Sequence, residues 1–177
     1  SMAQADPAAE YPAVALVLDA ELRAVGPDGV RTIEAGDFFV SYLTTALEPA
    51  EVLTEVRFPM LGEGTGWAFQ EVSRRHGDFA LAGAAVTLSV EGAGRCTKAR
   101  IVLFGVGAVP VRARGAEQML VGESLGGPLL EAAARKASED LDEPLADVHA
   151  SAEFRRHLAE VLARRALTEA MARAGGG

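Results

Sequence analysis

Between residues 14 and 106 the apolar positions fall in short runs separated by glycine- and proline-rich stretches. Such runs read as β-strands. Val14–Ala24 alternates enough for a first strand, Pro27–Asp28–Gly29 supplies a turn, and Val30–Ile33 forms the return strand. Ahead of them, Ala3–Pro12 is Ala- and Pro-rich and reads as an irregular loop. Asp37 is placed to cap a short helix through Leu43, because its carboxylate can accept from the free amides of a first turn. Val52–Phe58 is a further strand, stopped at Pro59, which lacks a backbone donor.

Residues 59–66 (PMLGEGTG) are the strongest linker signal in the chain. They predict a boundary that divides the protein into residues 1–62 and 63–177. Beyond it, Trp67–Arg74, Ala82–Val90 and Cys96–Val106 read as three strands, the last two joined by a Gly92–Ala93–Gly94 hairpin turn. Tight joins between successive strands imply a three-stranded antiparallel sheet. After residue 110 the period lengthens to that of helices: Arg114–Leu120, Pro128–Leu141 and Ala152–Ala174, the last with Ser151 as N-cap. On that helix Phe154, Leu158, Val161, Leu162 and Met171 share one stripe. Strands followed by helices give an α+β fold rather than an alternating α/β one.

Charge sharpens the division. Residues 1–65 hold 11 acidic and 3 basic side chains, whereas residues 66–177 hold 14 of each, so the whole net charge of −8 sits in the first part. Basic residues in the second part alternate with acids, which argues against nucleic acid, whose phosphates call for clustered Lys and Arg. The longest weakly polar stretch, Phe79–Val90, is far short of the ~20 residues of a membrane span. A single cysteine, Cys96, forms no internal disulfide and fits a reducing compartment. With no secretory signal pattern, the expectation is a soluble cytoplasmic chain.

The residue-level chemistry is sparse. Gly105-Val-Gly107-Ala-Val-Pro110 resembles the start of a dinucleotide loop, but proline stands at the third glycine position. A strand exit with glycines for close packing is the preferred reading. His76, His149 and His157 are scattered and give no metal-ligand spacing; the last two read as surface residues around the final helix. Cys96 reads as a strand residue near a turn. Arg74-Arg75-His76-Gly77-Asp78-Phe79-Ala80 is the densest polar cluster: arginine forks suit phosphate or carboxylate, and a salt-bridged strand-to-turn connection is the plainer alternative.

Three segments occur in an order that changes the picture: Ser1–Glu10 (SMAQADPAAE), Trp67–Asp78 (WAFQEVSRRHGD) and Ser151–Leu167 (SAEFRRHL…RRAL). Together with Ile101–Arg112 they resemble the flavin subunit of the molybdenum hydroxylases, the xanthine dehydrogenase and aerobic carbon monoxide dehydrogenase group. The resemblance covers essentially the whole chain. It implies that residues 1–58 are the end of an FAD-binding domain and that residues 67–174 are the family's C-terminal domain, a small antiparallel sheet covered by helices. It also implies a cofactor, FAD, and two partners: an iron–sulfur subunit with [2Fe–2S] clusters and a molybdenum subunit with molybdopterin. Electrons would pass from those clusters through the flavin to an external acceptor.

Position by position, the resemblance assigns Ser1 to the polar residue after a glycine loop and Glu10 to an acidic FAD contact. Leu53 falls where the backbone lies against the cofactor. Gln70 falls at a flavin-contacting position that is often lysine in the family. Phe69 occupies an aromatic position suited either to packing near the isoalloxazine ring or to a core role. Arg74, Arg75 and Asp78 fit the family pattern as structural or docking residues. The sequence departs from the family in one respect: both glycine-rich loops that wrap the FAD pyrophosphate would lie before Ser1. The expectation is a truncated product, a fragment or one half of a split subunit, with weakened FAD affinity. Two functions follow, an electron-transfer component or a non-catalytic docking domain of the same complex; an unrelated α+β binding protein is the third reading.

Overall fold

A computed structural model describes residues 1–75, 77–92 and 94–175. His76 of the polar cluster, Ala93 of the hairpin turn, and Gly176 and Gly177 lie outside the described residues. The fold is α+β, with two main antiparallel sheets.

The chain opens with helix α1 (Glu10–Val17), where a strand is expected from Val14. Residues 13–18 are apolar on every side, so they carry neither a helical stripe nor strict alternation, and burial decides: Ala13, Ala15, Leu16 and Val17 are all buried. Pro12 lies in the first turn, where its missing N–H costs no helical bond. Asp19 takes a left-handed turn (φ 53°) that reverses the chain into β1 (Glu21–Gly26). β1 pairs with β2 (Gly29–Glu34) across the expected turn, and on its other side with β5 (Val52–Arg57).

The expected helix from Asp37 to Leu43 is shorter and differently capped. Helix α2 (Ala35–Phe38) contains Asp37 as its third residue, and Glu34 precedes it without a side-chain cap. A small ribbon of β3 (Phe39–Ser41) and β4 (Thr44–Thr45) follows, turning at Leu43 in a left-handed conformation. Phe38 and Phe39, stacked edge to face at 5.1 Å, anchor this segment in the core beneath the first sheet.

Residues 58–64 carry no regular element and join β5 to the second sheet, which is four-stranded rather than three-stranded. Its order is β6 (Thr65–Ser73), β7 (Ala80–Glu91), β8 (Arg95–Phe104) and β9 (Val111–Arg112). β9 contributes two residues, paired to Val102 and Leu103, too few to leave a pattern in the sequence. Gly105 bends the exit of β8 at φ 70°, close against Ala80 O and Leu81 O, and Gly107 is packed against Val111, as the close-packing reading expects.

Helices α3 (Arg114–Leu120), α4 (Gly127–Glu139) and α5 (Ala152–Ala174) cover one face of this sheet. Ser151 caps α5, its Oγ accepting from Phe154 N at 3.1 Å. The stripe expected on α5 is displaced. Of its five residues only Leu162 is fully buried, and Phe154 is exposed. The face that meets the sheet is Ala159, Ala163, Ala166, Ala170 and Ala174 with Leu162 and Leu167, because β6 runs too close beneath its end at Gly66 for larger side chains. Helix α1 packs on the opposite face, where Leu16 and Val17 meet Ala85, Val102 and Phe104.

Candidate functional site

Alternation along β6 puts neighbouring side chains on opposite faces of the sheet. Phe69 points toward α1 and packs 5.1 Å from Phe104, whereas Gln70 points toward α5 and donates from Nε2 to Glu169 Oε2 at 2.6 Å. The two candidates therefore face different environments. Glu10, the first residue of α1, is exposed and near enough to Glu71 to hold that carboxyl above its usual range, together with partial burial of Glu71, the larger cause. Leu53 sits on β5 opposite Ala24 and packs against the first-sheet core, to which Met2 also contributes. Ser1 is exposed beside it in sequence. The five candidates are thus distributed over both segments. Phe69 lines an apolar cavity of about 310 Å³ together with Val17, Leu61 and Trp67.

A larger cavity, about 650 Å³, lies elsewhere, and none of the five lines it. It is built where the N-terminal segment meets the second sheet. Asp6–Ala8 and Tyr42 form one side; Arg74, Asp78, Phe79 and the start of β7 form the other. Gly105 and the 145–149 loop close the floor. Two aromatic side chains are open to solvent around it, Tyr42 at 56% and Phe79 at 64%. Arg74 and Asp78 form the ion pair expected of the polar cluster, at 3.8 Å. Gly105 N donates to Pro7 O at 2.7 Å, a backbone bond that ties the first segment to this rim.

Beneath the cavity lies Arg155 of α5, only 4% exposed. Its Nη1 donates to Leu81 O and to Gly105 O (2.7 Å), and its Nη2 to Asp147 Oδ2 at 2.6 Å. One guanidinium thus joins the start of β7, the exit of β8 and the 145–149 loop. Its Nε has no partner among the described residues. The backbone amides of His149 and Ala150 donate to Asp147 and, with Arg155, hold its carboxyl below the usual range. Sequence reasoning singled out Arg74 and Asp78, gave Phe79 of the same cluster no role, and missed Tyr42 and Arg155. An aromatic directly after a Gly–Asp turn was the one available signal for Phe79.

A second polar centre fastens the two segments. Asp19 accepts from Arg100 Nε (3.0 Å) and Arg112 Nη1 (3.3 Å), and lies 3.3 Å from Lys98 Nζ. Arg112 also forks onto Glu117, which is nearly buried and accepts Ile101 N at 3.0 Å. Burial pushes the Asp19 carboxyl up, but the bonds and charges of Arg100, Lys98 and Arg112 outweigh it and hold it below the usual carboxylate range. A folded-state value below the unfolded one means that Asp19 stabilises the fold at neutral pH and loses this contribution as pH falls through the folded value. Asp19→Asn, which still tolerates the left-handed turn, should cost roughly 1 kcal/mol at neutral pH, given partial exposure and solvent screening. In thermal melts the variant and parent should converge as pH falls through the folded-state value of Asp19, below the ordinary carboxylate range. A gap that persists there would assign the effect to packing.

Cys96 is buried, and burial pushes its thiol up, as a structural strand cysteine requires. His149 and His157 are exposed. Among the described residues no cluster of three metal-ligating side chains occurs, and no helix is long and apolar enough to cross a membrane.

Residues 1–61 match the family described as FAD binding domain in molybdopterin dehydrogenase, and residues 67–170 match the CO dehydrogenase flavoprotein C-terminal domain. The chain is 40% identical over 174 residues to the 6-hydroxypseudooxynicotine dehydrogenase complex subunit alpha of Paenarthrobacter nicotinovorans, covering 98% of this chain and 58% of that one. It is 39% identical to the carbon monoxide dehydrogenase medium chain of Afipia carboxidovorans, covering 97% and 59%. Among solved structures it superposes on carbon monoxide dehydrogenase from Hydrogenophaga pseudoflava with TM-score 0.92 at 36% identity, over 97% of this chain and 59% of that one. On quinoline 2-oxidoreductase from Pseudomonas putida 86 the TM-score is 0.90 at 37% identity, over 98% and 60%. The chain therefore spans about three-fifths of the length of these relatives. Two matches that between them take in nearly all of its residues, and relatives at such identity, show that it belongs to the family of FAD-binding medium subunits of the molybdenum hydroxylases.

Proposed function

We propose that this chain is part of an FAD-binding electron-transfer subunit of a molybdenum-containing oxidoreductase. It would work beside an iron–sulfur subunit and a molybdenum subunit, taking electrons from the clusters of the former and passing them to an external acceptor. The observation that carries the reading is the 650 Å³ cleft shared by the two family-matched segments. Its size is that of a cofactor pocket, and it combines apolar faces with a few convergent polar groups. Tyr42 and Phe79 offer aromatic surface to a planar ring, and Arg74 offers guanidinium donors at the rim.

When bound, FAD supplies the redox chemistry, and the protein's part is position and electrostatics. Arg155 fixes the floor by pinning Leu81, Gly105 and Asp147, so the rim residues that would meet the cofactor keep their spacing. The carried-over positions Ser1, Glu10, Leu53, Phe69 and Gln70 are proposed as contacts of the outer parts of the cofactor. Phe69 and Gln70, being on opposite sheet faces, would not flank one ring together.

A fluorescence titration with FAD tests the reading. The chain is titrated alone and together with the residues that precede the matched stretch in the A. carboxidovorans medium chain. Saturable quenching that tightens with the added segment, and that weakens about tenfold in Phe79→Ala for the loss of one stacked aromatic, is the expected result. Quenching in neither mixture would favour the docking-domain alternative.

A further inference from the structure

Three cations converge on the single carboxylate of Asp19: Lys98, Arg100 and Arg112, each within 3.3 Å. Glu117 offsets part of Arg112 but is nearly buried and fully engaged. The side chain of a fourth cation, Arg114 at the start of α3, makes no ion pair or hydrogen bond among the described residues. Four positive charges against two negative ones leave an excess of two, on a chain whose net charge is −8. Arg100, Arg112 and Arg114 line one open groove of about 410 Å³ between the edge of β8 and α3. Gln118 of α3 and Val121 just after it extend its wall, and Val121 is exposed. No residue lines both this groove and the cleft at Phe79.

We infer that this groove is a docking surface for an acidic segment of a partner chain, whose carboxylates pair with Arg114 and Arg100. Charge complementarity selects the occupant. The acidic remainder of the molecule repels such a partner, so the field directs it to a place where cations outnumber their own counterions. The shape argues for a chain segment rather than a free anion. The groove is open along its length, and exposed Val121 flanks the cations with apolar surface that a small oxyanion would leave uncovered. Arginine supplies forked donors that match carboxylate geometry.

The test uses the intact 177-residue chain, ¹⁵N-labelled, with an acetylated tetraglutamate peptide as probe. Tetraglutamine and inorganic phosphate are the comparators. Tetraglutamate is expected to shift the amides of Gly115, Gln118 and Val121 saturably, and to weaken several-fold between about 20 mM and about 200 mM salt. Arg114→Glu, at an exposed position without internal partners, should lower its affinity about tenfold while leaving the melting temperature unchanged. An equal response to tetraglutamine, or none to tetraglutamate, overturns the inference. Phosphate saturating the same amides at equal or lower concentration also overturns it, since the groove would then be a free-anion site.

Discussion

Gly66→Ala is expected to be the most damaging small substitution in the protein, costing roughly 3–4 kcal/mol of stability. Gly66 lies at the start of β6, directly under the last turns of α5. A Cβ there would overlap Ala170 O and come within 2.5 Å of Ala174 N. Both are backbone atoms, so no side-chain rotation relieves the clash, and the helix or the strand must shift. Gly62→Ala, where an added Cβ meets nothing within 4 Å, is the matched control and should lie within about 0.5 kcal/mol of the parent. Urea unfolding of both variants checks the pair. Equal midpoints would mean that α5 yields at no cost and that its contact with β6 is loose.

Arg155→Met is expected to cost about 3 kcal/mol, lowering the melting temperature by about 6–12 °C. Methionine fills much of the volume but leaves Leu81 O, Gly105 O and Asp147 without the donor that joined them. Asp147→Asn should cost less than about 1 kcal/mol, because Asp147 is 45% exposed and water replaces the lost pairing. The asymmetry between two ends of one ion pair identifies the guanidinium's bonds to buried carbonyls as the larger contribution. If both variants cost the same, the ion pair itself would be the stabilising element.

How legible these features are in the sequence differs from element to element. Ala82–Val90 and Cys96–Val106 are long runs bounded by glycines, and β7 and β8 begin and end within two residues of them. Arg114–Leu120 is recovered as α3, and Ser151 marks the start of α5 because a side-chain oxygen before a helix has a specific task. Residues 13–18 read as a strand because an apolar run this short satisfies either period, and only the sheet against which α1 rests decides. β9 is invisible for a related reason: two residues hold their place only through Val102 and Leu103. The stripe through Phe154 misleads because size stood in for burial, whereas the close approach of β6 selects alanine. As for the cleft, its walls come from residues 6–8, 42, 74, 77–81, 145–147 and 149, separated by spans that no motif bridges. The family resemblance supplied the fold and the cofactor class, but its five carried-over positions lie outside that cleft.

The alanine face of α5 has a consequence for how the sheet and helix behave as matter. Alanine has no rotamers, so burying Ala159, Ala163, Ala166, Ala170 and Ala174 forfeits no side-chain entropy. Nor can such a contact re-pack to absorb a displacement, since the surfaces that meet are largely backbone. The helix and the two strands below it are therefore joined as by a keyed joint, stiff to sliding and rotation alike. A push on the exposed face of α5 would travel undamped to Arg155 and the cleft floor, whereas the longer side chains around α1 would yield to it.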